Sequence, residues 1–139
     1  MGFFRGVTLG FGAGVFGGCV LFAVAYLFNR LQVPQLLGFQ PLTRPFPAGL
    51  YQLLVWGGIW GVLVALPILN RMWWLKGILI GLLATAAIAF YFNPAFANAP
   101  PVRIAYAAVL NAIWGIAAAW WWSLVSGTGG GRRFGGGPR

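Results

Sequence analysis

The chain has 139 residues, of which 60% are hydrophobic, and it carries nine Lys or Arg but no Asp, Glu or His. A soluble domain of this size has about 25% charged residues, against 6% here, so most of the apolar surface must face lipid. The missing acids and imidazoles remove general acid–base pairs, Ser-His-Asp and Cys-His nucleophile systems, His or carboxylate metal sites and the usual membrane proton relays, which argues against a self-contained enzyme.

Four runs are long and apolar enough to cross a hydrocarbon layer of roughly 30 Å, which takes about 20 residues each. They cover about residues 7–28, 50–69, 73–92 and 102–125 and predict an all-α, four-helix transmembrane domain over 1–125. A β-barrel is excluded because the runs are continuously apolar rather than alternating. The third run reaches full length only if it starts at Trp73 and includes Lys76, whose stem is long enough to snorkel to the interface. Prolines mark the boundaries: Pro47, Pro67, Pro94, Pro100 and Pro101.

In the first span Gly2, Gly6, Gly10, Gly14 and Gly18 recur every four residues. At 3.6 residues per turn they form one slowly drifting stripe without side chains, where a second helix backbone can come close. Gly57 and Gly61 in the second span, Gly77 and Gly81 in the third and Gly115 in the fourth give shorter versions. The stripes suit either a compact internal bundle or, for the first span, a partner subunit; oligomeric pores zipped through such faces are a further alternative. Cys19, the single cysteine, lies in a faint lipoprotein-like box, but the apolar run continues past it, so it reads as a small membrane-buried residue.

The connection over 30–48 holds Pro34, Pro41, Pro45 and Pro47 among apolar side chains and cannot be one helix. It is expected to lie in the interface or over the end of the bundle, with a substrate lid as the alternative. The residues Ala95 to Ala99 imitate a signal-peptide cleavage site, but an apolar span follows at once, so a plain turn is expected. Ile59-Trp60-Gly61-Val62 in the second span echoes Ile113-Trp114-Gly115-Ile116 in the fourth, a faint sign of two duplicated helical hairpins.

Arg5, Arg71, Lys76, Arg132, Arg133 and Arg139 share one side of this topology, and Arg30, Arg44 and Arg103 the other. The positive-inside rule therefore predicts both termini in the cytoplasm. Trp73 and Trp74, and Trp120, Trp121 and Trp122, fall at the same interface and are expected to form an aromatic belt. A face stacking on a pigment, quinone or partner aromatic is the alternative. Within the spans the polar residues are few; Gln52 and above all Asn111 are expected to hydrogen-bond between helices. The Gly/Arg-rich tail, 126–139, predicts a flexible chain whose Arg132, Arg133 and Arg139 suit anionic headgroups. One Arg pair and a single Phe are too thin for nucleic acid.

The Gly-rich first span (Gly10 to Gly18), the Trp56-Gly57 and Trp60-Gly61 pairs, Leu75-Lys76-Gly77 before the third span and Pro94 closing it resemble a loose group of four-helix bacterial inner-membrane proteins of the YagU type. The resemblance implies a bacterial inner-membrane location. It departs where members of that group carry polar or acidic residues, which this chain lacks. The leading expectation is a non-catalytic accessory subunit of a larger respiratory or photosynthetic membrane complex, contacting other subunits and anionic lipids. No cofactor is specified; a bound lipid, quinone or pigment are the candidates. The rival expectation is a stand-alone channel, holin-like pore or transporter, distinguished by a polar-lined cavity among the helices.

Overall fold

The computed structural model describes residues 2–42 and 44–127; the tail beyond, with Arg132, Arg133 and Arg139, lies outside the described residues. Every regular element among them is helical. Helix α1 spans Phe3–Arg30, α2 is a single turn at Val33–Leu36, α3 spans Ala48–Gly61, α4 spans Trp73–Ala87 and α5 spans Pro101–Val125. A 3-10 turn over Val62–Ala65 extends α3, and a π-helical turn over Ile88–Phe92 extends α4. With these extensions, four helices are long and apolar enough to cross a membrane: Phe3–Arg30, Ala48–Ala65, Asn70–Phe92 and Pro101–Val125.

The second span ends four residues before the expected Leu69, and Pro67 is the cause. The ring of a proline disfavours the helical conformation in the residue before it, and Leu66 is extended at φ −59°, ψ 138°. The chain turns through a left-handed Leu69 into α4. Lys76 does not snorkel. It is 2% exposed and points back under this turn, donating to the Leu66 carbonyl at 2.6 Å and to Asn70 Oδ1 at 2.8 Å. A carbonyl stranded at a helix end, with Pro67 next in line, thereby gains a charged donor.

The helices pair as two hairpins. In the first, α1 lies on α3 through glycine: a Cβ at Gly18 would stand 2.6 Å from the Leu53 carbonyl oxygen, one at Gly10 3.0 Å from that of Gly61, and one at Gly14 would collide with the Gly57 carbonyl. In the second, α4 lies on α5: a Cβ at Gly77 would stand 2.5 Å from the Gly115 oxygen, and one at Gly81 would collide with the Asn111 carbonyl. Matching residues 59–62 to 113–116 equates Gly57 with Asn111 and Gly61 with Gly115. The contacts obey that equation, because Gly61 faces Gly10 as Gly115 faces Gly77, and Gly57 faces Gly14 as Asn111 faces Gly81. The two hairpins thus share one packing register.

A seam between α1 and α5 joins them. Trp114, 3% exposed, lies over Gly17 and donates its indole N–H to the Gly14 carbonyl at 3.0 Å. Ala13, Leu21, Ala118 and Ala119 close the seam around it. The lateral order is therefore α3–α1–α5–α4. The connection after α1 folds over one end of the bundle, where Phe39 and Leu42 pack on the core and the Phe39 ring meets Tyr106 at 5.2 Å. Residues 95–99 form the expected turn, with Phe96 turned into the protein.

Candidate functional site

Because α1 and α5 are the inner pair, α3 and α4 are the outer pair, and they diverge. The space between them is a cleft of about 460 Å3, within the range of small-molecule sites. Its floor is formed by Gly57, Trp60, Asn111 and Trp114, at the glycine contacts just described. Its walls are Leu53 and Trp56 from α3, Ala84, Thr85 and Ile88 from α4 and Ala107 and Leu110 from α5. Trp56 and Phe92 meet edge to face across the gap, with ring centroids 5.5 Å apart. Several lining side chains, among them Gln52, Trp56, Ile88 and Phe92, are exposed, so the cleft opens sideways between the two helices.

The polar groups are unevenly distributed. Near the floor, Asn111 donates its amide to Thr85 Oγ1 at 2.9 Å, and Thr85 donates in turn to the Gly81 carbonyl at 3.1 Å. That chain ties α5 to α4, as expected of Asn111, and leaves both residues on the cleft wall. Gln52 lines the cleft but forms no interhelical bond among the described residues. At the open end stand Arg44, carried by the connection before α3, and Arg103, in the first turn of α5. The Arg103 guanidinium carbon lies 5.7 Å from the centroid of the Phe96 ring, and its Nε is buried without a hydrogen-bond acceptor among the described residues. The π turn over Ile88–Phe92 borders the same opening.

The residues expected to face partners or lipid divide differently from the sequence reading. Gly10, Gly14 and Gly18 are occupied by α3, and Gly57, Gly61, Gly77, Gly81 and Gly115 by their hairpin partners. Gly6 is half-buried one turn earlier, and Gly2 has no neighbour within 4 Å. Of the expected aromatic belt, Trp74 and Trp120 are exposed, while Trp73 and Trp121 are half-buried against the core. Trp122 is corrected outright: at 5% exposure it belongs to the core, because successive helical residues point about 100° apart and Trp120 already takes the outward direction. Phe16 packs against Trp121 at 6.4 Å, holding that ring over α1.

Arg44, Arg103, Trp56 and Trp60 were not among the expected site residues. The available signal was that each arginine in a chain without acids lacks an internal counter-ion. No protein-family model, curated protein or solved structure matches this chain. Geometry and chemistry alone therefore carry the assignment of the cleft.

Proposed function

We propose that this is a non-catalytic integral membrane protein that holds an amphiphilic ligand in the cleft between its two helical hairpins. The observation that carries this reading is the cleft itself, mostly apolar along its walls, with Asn111 and Thr85 near its floor, both arginines at one end and an opening on its side. A side opening between diverging spans admits a molecule from the bilayer without passage through water, and apolar walls with a few convergent polar groups are the ordinary make-up of a binding pocket. The absence of Asp, Glu and His from the chain supports binding or carriage rather than catalysis. Arg5, Arg71 and Lys76, with the three tail arginines, favour a cytoplasmic position for both termini in a bacterial inner membrane, which sets the open end of the cleft at the opposite leaflet.

The test is to purify the protein in a mild detergent and quantify co-extracted amphiphiles by mass spectrometry, beside an Ala107→Trp variant that fills the cleft. About one retained amphiphile per wild-type chain, lost in the variant at unchanged thermal stability, is expected. Retention no greater than a lipid annulus gives, or retention unaffected by the indole, would overturn the reading.

An accessory role in a larger membrane complex is the second reading, and one observation favours it. Phe90 and Tyr91 stand 78% and 80% exposed beside the cleft, a wide aromatic face suited to another apolar helix. Native-gel separation of gently solubilised membranes tests it: stoichiometric co-migration with other subunits supports the role, and migration alone removes it.

A further inference from the structure

We propose that the cleft selects membrane lipids with an anionic headgroup, and that Arg44 and Arg103 hold that headgroup at the open end. The inference rests on the cleft being a binding site, as set out above, and adds the chemistry of what it takes.

The chain has nine cations and not one Asp or Glu, so no side chain can neutralise either arginine. Exposed arginines need no partner, because water serves them. Arg103 differs: it is half-buried, its Nε is shielded from solvent with no acceptor among the described residues, and its guanidinium lies over the Phe96 ring. A buried donor on a charged group is costly to leave unmatched. Its position adds to the cost, since a cation in the first turn of a helix meets the positive end of the helix dipole, and α5 has no acid there and no side-chain cap. An anion placed between Arg44 and Arg103 would supply the counter-charge that no side chain of this chain can and would offset the unfavourable helix dipole. Guanidinium is well matched to such an anion, because its planar fork binds the oxygens of phosphate in pairs.

The remainder of the cleft decides between a lipid and a free anion. Away from the arginines the lining is mostly apolar, with Leu53, Trp56, Ile88 and Leu110 offering a channel to an acyl chain, and the Asn111 and Thr85 groups near the floor are already engaged with each other and with the Gly81 carbonyl. The side opening between α3 and α4 lets such a chain extend into the bilayer, so the cleft need enclose only the headgroup and the first part of the tails. Gln52, exposed and without a hydrogen bond among the described residues, is available to the ester or glycerol region.

The experiment uses the full chain in nanodiscs of equal parts phosphatidylglycerol and phosphatidylcholine, with native mass spectrometry of the lipids that stay bound on release. Wild type is expected to retain phosphatidylglycerol over phosphatidylcholine by about thirtyfold, on the scale of two arginine–headgroup attractions. The Arg44→Gln/Arg103→Gln variant should still retain lipid but without preference, and Arg44→Lys/Arg103→Lys should recover part of it. Excess inorganic phosphate should leave the bound lipid in place. Equal retention of both lipids by wild type would overturn the anionic assignment and leave the cleft reading standing. Preference undiminished in the double Gln variant, or displacement by phosphate, would also overturn it. Wild type that retains no lipid at all would sink the cleft reading itself.

Discussion

A methyl group is the whole difference between Gly14 and alanine, yet the Gly57 carbonyl occupies the place where it would go. Gly14→Leu should therefore force α1 and α3 apart and destabilise the protein by about 2 kcal/mol or more, the upper part of the usual cost of overpacking. Gly2→Leu should be silent, since nothing lies within 4 Å of that position. Thermal unfolding of both variants in the same detergent checks the contrast; a Gly14→Leu protein as stable as wild type would mean the two backbones do not meet. These glycines were legible because a period of four survives in the sequence. The bond from Trp114 to the Gly14 carbonyl was not, because its acceptor is a backbone atom 100 positions away and carries no residue signature. Likewise, three tryptophans in a row announce that they cannot all face lipid. Which of them turns inward is decided by packing: Trp121 lies over α1 and Trp122 enters the core.

The four spans were legible because twenty apolar residues admit few other structures next to a bilayer. Their ends were less so. Pro67 stops the second span early by acting on Leu66, and Lys76 then serves the shortened end instead of the lipid interface. Replacing Lys76 by Met keeps the stem and removes the donor, leaving the Leu66 carbonyl and the Asn70 side chain without it. The cost should be about 1–3 kcal/mol, and amide exchange over residues 66–72 should quicken while the middles of α4 and α5 stay protected. Unchanged exchange in that turn would show that Lys76 does not hold it.

The molecule is two hairpins in one register, joined along Gly17, Trp114 and their small neighbours. Fragments 1–69 and 70–139, produced together, should therefore assemble and co-purify, since each keeps its own glycine contact and both keep the seam. Fragments that remain separate would show that the covalent turn, not the seam, holds the halves together. The shared register was visible as one four-residue echo, and it became informative only once the matched positions made matching contacts. The cleft was invisible for a related reason. Its polar lining comes from positions scattered between Arg44 and Asn111, each unremarkable in its own span. Periodicity tells which side of a helix is small, but a void arises where two helices part, and that depends on the order α3–α1–α5–α4.

The lining of the cleft has a consequence for how occupancy responds to acidity. Its polar groups are the amides and hydroxyl of Gln52, Thr85, Asn93 and Asn111 and the guanidiniums of Arg44 and Arg103, with no carboxylate, imidazole or thiol among them. The receptor thus holds no side chain of a type that ordinarily titrates in the physiological range. Any pH dependence of binding must belong to the guest. A phosphate monoester gains its second charge near pH 6, to within about a unit, and should bind more tightly as the pH rises through that point. A phosphodiester holds one charge throughout and should give a flat profile. A titration of lipid retention thus reads the headgroup's own chemistry, with the protein serving as a constant reference.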